Sequence, residues 1–296
     1  MQRCAFLTLQ DPAGYVIDDE LAYGPLAQLG WRVDAIPWDR SGVDWRSYDA
    51  VVIRSTWDYI KHPNTFLAVL EEIERSGVPL FNPLDVVRWN INKIYLRDLA
   101  DRGVPVVPTV WLERLDPDKL PKLIERIGTE EIVLKPIVGA NASGTFRISA
   151  RGGRDQADEL SAWFTNRALM AQPFLSAITT EGEFSLFYFN GEHSHTILKT
   201  PKPADFRVQE EHGGIIRAYE ADSGLRTAGD AALEALDGAP LYARADFVRK
   251  EHGAGYWLME LELIEPSLYF RTNNEAPFRF AEALDRAARS DSSTRE

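Results

Sequence analysis

The sequence predicts an α/β protein with a parallel sheet in front and antiparallel pairing behind. Up to Phe81, short apolar runs alternate with helical periodicities, the pattern of strands joined by helical crossovers. From Glu183 onward, strand-length runs follow one another more directly. Two of these runs flank Asn190-Gly191, the dipeptide most suited to a two-residue hairpin turn.

Element by element, Cys4 to Leu9 is a buried strand. Asp18-Asp19-Glu20 opens a helix with acids at the positive end of its dipole; Leu21, Leu26 and Leu29 form its apolar face and Gly30 stops it. Arg32–Ile36 and Ala50–Ile53 are strands, and Asn64–Ser76 is a helix ended by Gly77-Val78-Pro79 before a strand to Phe81. Asn82-Pro83 is a turn. Helices are expected over Asn92–Arg102, Lys119–Ile127 and Asp155–Asn166, and strands over Glu131–Lys135, Thr145–Ser149 and Leu169–Phe174. The back half carries strands at Glu183–Phe189, His193–Leu198, Ile215–Tyr219, Leu241–Val248 and Tyr256–Leu263. Helices are expected at Leu225–Leu236 and Ala276–Ala288.

A chain of 296 residues can form two domains or one large α/β domain. A net charge of −12 argues against a general nucleic-acid or anionic-membrane surface but leaves room for a local basic pocket. Cys4 is the only cysteine, so neither an intramolecular disulfide nor a cysteine-based zinc site can form; it reads as a buried small hydrophobe. No apolar run is long enough to span a bilayer, and the opening run breaks at Asp11-Pro12, as a first strand would. The expectation is a soluble cytoplasmic protein acting on a small molecule, with no nucleic-acid or membrane partner and with a homo-oligomer left open.

Chemistry concentrates near the end. In Trp257-Leu-Met-Glu260-Leu-Glu262-Leu-Ile-Glu265-Pro266, Glu260 and Glu262 point to one side of a strand. Like charges so placed repel unless a cation lies between them, which makes the pair either a solvated edge or a site for Mg²⁺. Arg244 and Asp246 also share a strand face, as an ion pair or as an anion and a metal contact. Lys135 ends a strand beside the small-residue loop through Ser143 and Gly144, where backbone N–H groups can cradle phosphate; the P-loop order is absent. Lys93 offers a second phosphate contact from a helix start. Lys199 and Arg207 bracket a proline-rich loop that either closes over a triphosphate or stays exposed. His193 and His195 share a face but lack a third metal ligand.

From Asn82 to Ser267 these pieces, in this order, resemble the ATP-grasp superfamily and its glutathione synthetase-like branch. Met170-Ala-Gln172-Pro173-Phe174-Leu175 resembles the adenine hinge; Glu181-Gly182-Glu183, the Asn190-Gly191 hairpin, Arg207 with Gly213-Gly214, Asp246 and Glu260-Leu-Glu262 follow. The resemblance implies an ATP-grasp fold with a parallel-sheet N-terminal domain (1–88), a small α+β lid (89–175) and a mixed, antiparallel-rich catalytic subdomain (176–290), then a disordered tail (291–296). It implies that Lys93, Lys135 and the Ser143 loop hold phosphates, that Gln172, Pro173, Phe174 and Leu175 read adenine, and that Glu183 or Glu181 holds the ribose. Arg207 would steady the γ-phosphate, with Lys199 and Arg244 beside the reacting groups. Asp246, Glu260 and Glu262 would hold two Mg²⁺ ions, for which Mn²⁺ can substitute. Glu262 stands where relatives carry an asparagine.

The implied reaction is ATP-dependent ligation of a carboxylate to an amine through an acyl phosphate, on a small amino-acid-like substrate. The chain departs from glutathione synthetase at Ser185, where an arginine is expected. It adds Arg54-Ser-Thr-Trp57-Asp58-Tyr59 at a strand end, where Arg54 would grip a substrate carboxylate and Trp57 and Asp58 would shape the pocket. That segment, the Phe206-to-Gly214 loop and Glu262-Leu-Ile-Glu-Pro-Ser resemble a subgroup containing a cycloserine-forming cyclo-ligase, which closes O-ureido-D-serine on itself. Ring closure is therefore one alternative; a nucleotide-binding module and a small-molecule kinase are others.

Overall fold

The computed structural model describes residues 1–139, 142–149 and 156–294. Strand Gln2–Thr8 (β1) pairs in parallel with Trp31–Pro37 (β2) and Ala50–Ser55 (β3), and β3 with Leu80–Phe81 (β4), giving the order β2-β1-β3-β4. Every residue of β3 is buried, as expected of a parallel strand covered on both faces. The helix after it runs Pro63–Ser76 and stops at Gly77, whose left-handed φ of 84° is the usual glycine exit. The helix expected from Asp18 begins as a 3₁₀ turn at Asp19–Ala22 and becomes α-helical only over Tyr23–Gln28.

One expected helix is divided. Leu84–Asn90 forms a helix that the periodicity does not reveal, and the next begins at Tyr95 and ends at Asp101. Between them the Asn92 side chain accepts from the Ile94 N–H, a local bond that competes with helix continuation. Lys93 therefore lies in the break, its N–H donating to the Ile137 carbonyl.

A second sheet is antiparallel, in the order Val110–Leu112 (β5), Leu169–Pro173 (β8), Glu131–Pro136 (β6), Phe146–Ser149 (β7). Strand β5 is too short to leave a periodic signal. Helices Leu120–Ile127 and Ala157–Phe164 pack a core against this sheet around Leu123, Leu134, Leu160 and Phe164. Ala140, Asn141 and Asp155, each within an expected element, lie outside the described residues.

The third sheet is antiparallel and five-stranded: Ile215–Tyr219 (β11), Glu192–Thr200 (β10), Glu183–Phe189 (β9), Tyr242–Arg249 (β12), Tyr256–Glu262 (β13). The β9–β10 turn has Asn190 at φ 49° and Gly191 at φ 79°, the paired positive values a tight hairpin requires. The last helix runs Ala276–Thr294, past the expected stop at Ala288 and into the segment expected to be disordered; residues 295–296 are outside the described range. Its Phe280 and Leu284 join Phe6, Phe189 and Tyr242 in one core, so the helix joins the first sheet to the third. Asn82 completes that junction: buried, it donates to the Tyr242 and Leu263 carbonyls and accepts from the Leu241 N–H.

Candidate active site

Strand register builds the site. On β12 and β13, Asp246 lies opposite Glu260 and Arg244 opposite Glu262. On the other side of β12, Asp246 faces Ser185 of β9, and Glu183 pairs with Lys199 of β10. Since i and i+2 share a strand face, one surface of the sheet carries Lys199, Glu183, Ser185, Asp246, Arg244, Glu260 and Glu262 in a band. Lys93, from the helix break, and Lys135, from the end of β6, reach this surface from the facing elements and line the same pocket.

Oxygens of Asp246, Glu260 and Glu262 all lie within 4.8 Å of one another. Cationic side chains surround them. Lys93 pairs with Glu260, and Arg244 bridges Asp246 (3.0 Å) and Glu262. Lys199, 3% exposed, donates to Glu183 (2.8 Å) and to Asp246 (3.3 Å), and the Ser185 hydroxyl also donates to Asp246. Burial raises the Asp246 pKa, but Arg244 and Lys199 outweigh it and hold the carboxyl at about 2. Glu260 is lowered too, because Lys93 and Lys135 overcome its burial. Glu262 goes the other way, to about 7: burial dominates, Arg244 offsets part of it, and Glu260 and Asp246 add repulsion. A set made only of carboxylate oxygens, one of them raised by burial and then by like charge, suits a hard divalent cation.

The opposite wall comes from the second sheet. Gln172, Pro173, Phe174 and Leu175 all line the pocket. The Phe174 N–H donates to the Glu131 carbonyl, the Gln172 amide to Thr109, and Arg147 sits 3.6 Å from the Phe174 ring centroid. Gly139, Ala142 and Ser143 bring the small-residue loop to the pocket edge, next to Lys135. Burial lowers the Lys135 pKa; at Lys93 burial acts in the same sense, but Glu260 reverses it and the pKa is raised. Arg207 lines the pocket while paired with Asp205 at 2.9 Å.

Three expected contacts lie elsewhere. Arg54 is 1% exposed, and its guanidinium is taken by buried Asp19 (3.0 Å) and the Pro266 carbonyl (3.0 Å), so it ties the first sheet to the β13 exit and is not among the pocket's lining residues. Asp58 accepts from the Trp38 indole at 2.7 Å and is not among the pocket's lining residues; Trp57 is. Glu181 pairs with Arg249 at 3.0 Å outside the pocket, whereas Glu183 lines it. Sequence reasoning passed over Tyr59, Asn90 and Tyr95, which also line the pocket. Asn90 donates to the Leu261 carbonyl and accepts from the Leu263 N–H, and the Tyr95 hydroxyl accepts from the Leu261 N–H. These groups brace β13 on its free side, and nothing in sequence spacing signals partners so distant.

The relatives agree with this architecture. Residues 4–82 match the family model for the N-terminal domain of the D-cycloserine synthetase DcsG. The cycloserine biosynthesis protein DcsG of Streptomyces lavendulae is 31% identical over 268 residues, covering 86% of this chain and 89% of that protein. This chain belongs to the DcsG family of ATP-grasp ligases. The crystal structure of D-cycloserine synthetase DcsG superposes with a TM-score of 0.83 at 29% identity, covering 97% of this chain and 99% of that one. A glutathione synthetase of Ralstonia nicotianae is 24% identical over 89% of this chain and 80% of that protein. As a member of the DcsG family the chain is an ATP-dependent carboxylate–amine ligase that uses a divalent metal. Among the described residues no helix is long and apolar enough to cross a membrane.

Proposed function

We propose that this ligase activates the carboxylate of a small amino-acid-like substrate with ATP and joins it to an amine, in the cytoplasm and with two Mg²⁺ ions. The observation that carries this reading is the band of Asp246, Glu260 and Glu262 beneath Lys93 and Lys135 in one pocket. Mn²⁺ would substitute, because the ligands are all carboxylate oxygens. Bound there, the cations would neutralise triphosphate charge and align the γ-phosphate for in-line attack.

The chain's own groups divide the rest. Gln172 to Leu175 present backbone to the adenine, and Glu183 lies within reach of the ribose. Lys93 and Lys135 hold α- and β-phosphate oxygens, with the Ser143 loop beside them. Arg207 exchanges its Asp205 partner for the γ-phosphate, Arg244 and Lys199 keep Asp246 ionised, and Arg244 also holds Glu262 in place. A substrate carboxylate oxygen bonds to the γ-phosphorus as the bond to ADP breaks. The amine nitrogen then bonds to the acyl carbon, the acyl–oxygen bond breaks, phosphate leaves and the nitrogen loses its proton. The chain is proposed to divide into a substrate-side domain over 1–88, a lid over 89–175 and a catalytic unit over 176–290.

A second reading, intramolecular ring closure of the cycloserine-forming type, is favoured by the 31% identity to DcsG along nearly the whole chain. ADP release tests both against amino acids singly, amino acids in pairs, and O-ureido-D-serine. Release needing a carboxylate and a separate amine supports ligation. Release with O-ureido-D-serine alone supports ring closure. A stable phosphorylated alcohol would mark a kinase, and ATP binding with no turnover a binding module.

A further inference from the structure

Among the buried carboxylates of the pocket, Glu265 differs from the rest. Glu183, Asp246, Glu260 and Glu262 each form an ion pair with Lys199, Arg244 or Lys93. Glu265 is 9% exposed, lines the pocket, and forms no ion pair among the described residues. It is also outside the carboxylate cluster formed by Asp246, Glu260 and Glu262. A buried carboxyl without a cation is costly to ionise, so Glu265 holds its proton until a cation comes beside it.

Its surroundings describe that cation. The Glu265 carbonyl accepts from the Trp57 indole at 2.8 Å, which fixes the backbone. The Tyr59 hydroxyl acts on its side chain at close range, lowering its pKa against the larger effect of burial. Trp57 and Tyr59 line the same pocket, Trp57 packed against Tyr15 and Tyr59 stacked on Phe66. One carboxyl beside an indole and a phenol is a poor cage for Mg²⁺, which wants several oxygens, and a fitting partner for a single ammonium, which gains from its charge in a buried setting.

We propose that Glu265, with Trp57 and Tyr59, is the subsite that receives the ammonium group of the substrate. This rests on the reading of the substrate as amino-acid-like and names the group that makes it so. Glu265 is a specificity residue: it touches the substrate away from the phosphoryl-transfer centre. Burial, followed by the Glu262 charge, raises its pKa to about 8, and a cation beside it acts in the opposite sense.

The test compares wild type, Glu265→Gln and Glu265→Asp in Mg·ATP-dependent ADP release. The probes are D-serine, L-serine, D-alanine and O-ureido-D-serine, each beside its counterpart with hydrogen in place of the ammonium. Wild type is expected to prefer the amine-bearing member of the best pair at least 10-fold in kcat/KM. In Glu265→Gln that preference falls to within twofold through a higher KM, while the KM for Mg·ATP holds and the melting temperature does not fall; Glu265→Asp restores part of it. Preference kept in Glu265→Gln, or equal losses for both members of the pair, overturns the subsite while leaving the ligase reading intact. If no amine-bearing carboxylate stimulates ADP release by wild type, the amino-acid reading falls and this subsite with it.

Discussion

Replacing Glu262 by glutamine should stabilise the metal-free protein, and only above mildly acidic pH. Burial and the neighbouring Glu260 and Asp246 hold the Glu262 carboxyl at about 7 against an ordinary 4.5, even with Arg244 beside it. Below about pH 4.5 both folded and unfolded chains carry the proton, and the side chain resembles neutral glutamine. As pH rises toward about 7 the unfolded chain releases the proton while the folded chain keeps it, so stability is lost; above that both are ionised and the loss is constant. The gap corresponds to about 3 kcal/mol, and solvent screening of a side chain 29% exposed brings the expected value to roughly 1–3 kcal/mol. For a chain of this length that is roughly 2–5 °C in melting temperature. Circular-dichroism melts in EDTA at pH 5 and pH 8 measure it. Glu262→Gln should melt above wild type at pH 8 and much closer to it at pH 5, and saturating Mg²⁺ should close or reverse the pH 8 gap. A pH-independent gap, or a variant less stable than wild type at pH 8 without metal, would refute the reasoning.

Three further outcomes follow from the geometry. Lys135→Met should raise the KM for ATP at least 10-fold in steady-state assays without lowering the melting temperature, since burial already opposes its charge and no carboxylate pairs with it among the described residues. Asn82→Ala should cost about 3 kcal/mol in urea unfolding, because it strands the Leu241 N–H and the Tyr242 and Leu263 carbonyls in the core between the first and third sheets. Gly182→Ala should cost about 2 kcal/mol or more, read in the same way: Gly182 sits at φ +117°, and an added Cβ would lie 2.5 Å from the Lys199 carbonyl oxygen.

Much of the fold is legible because it rests on local pattern. The Asn190-Gly191 turn, the alternation of strands and helices up to Phe81, and the i, i+2 spacing of Glu260 with Glu262 and of Arg244 with Asp246 each place side chains through backbone geometry alone. What stays hidden depends on distant partners. Arg54 ends a buried strand, as an anion-binding residue would, but Asp19 and Pro266 occupy it, and no spacing reveals that. The break at Lys93 comes from one side-chain bond of Asn92 inside an otherwise helical pattern. Glu181 and Glu183 are two residues apart in sequence, yet only Glu183 belongs to β9 and lies on the band of charges, beside Lys199; Glu181 precedes the strand and pairs with Arg249. Glu265 reads as one more acid in an acidic stretch until the structure shows which acids have cations and which lacks one.

In the proposed mechanism a substrate carboxylate oxygen attacks the γ-phosphate of ATP. The most direct test supplies the best-supported substrate with ¹⁸O in its carboxylate and analyses the released phosphate by ³¹P NMR. Acyl-phosphate chemistry predicts one ¹⁸O in each phosphate formed, at a rate that falls with product formation in Glu260→Gln. Unlabelled phosphate, released while product forms at the wild-type rate, would contradict it.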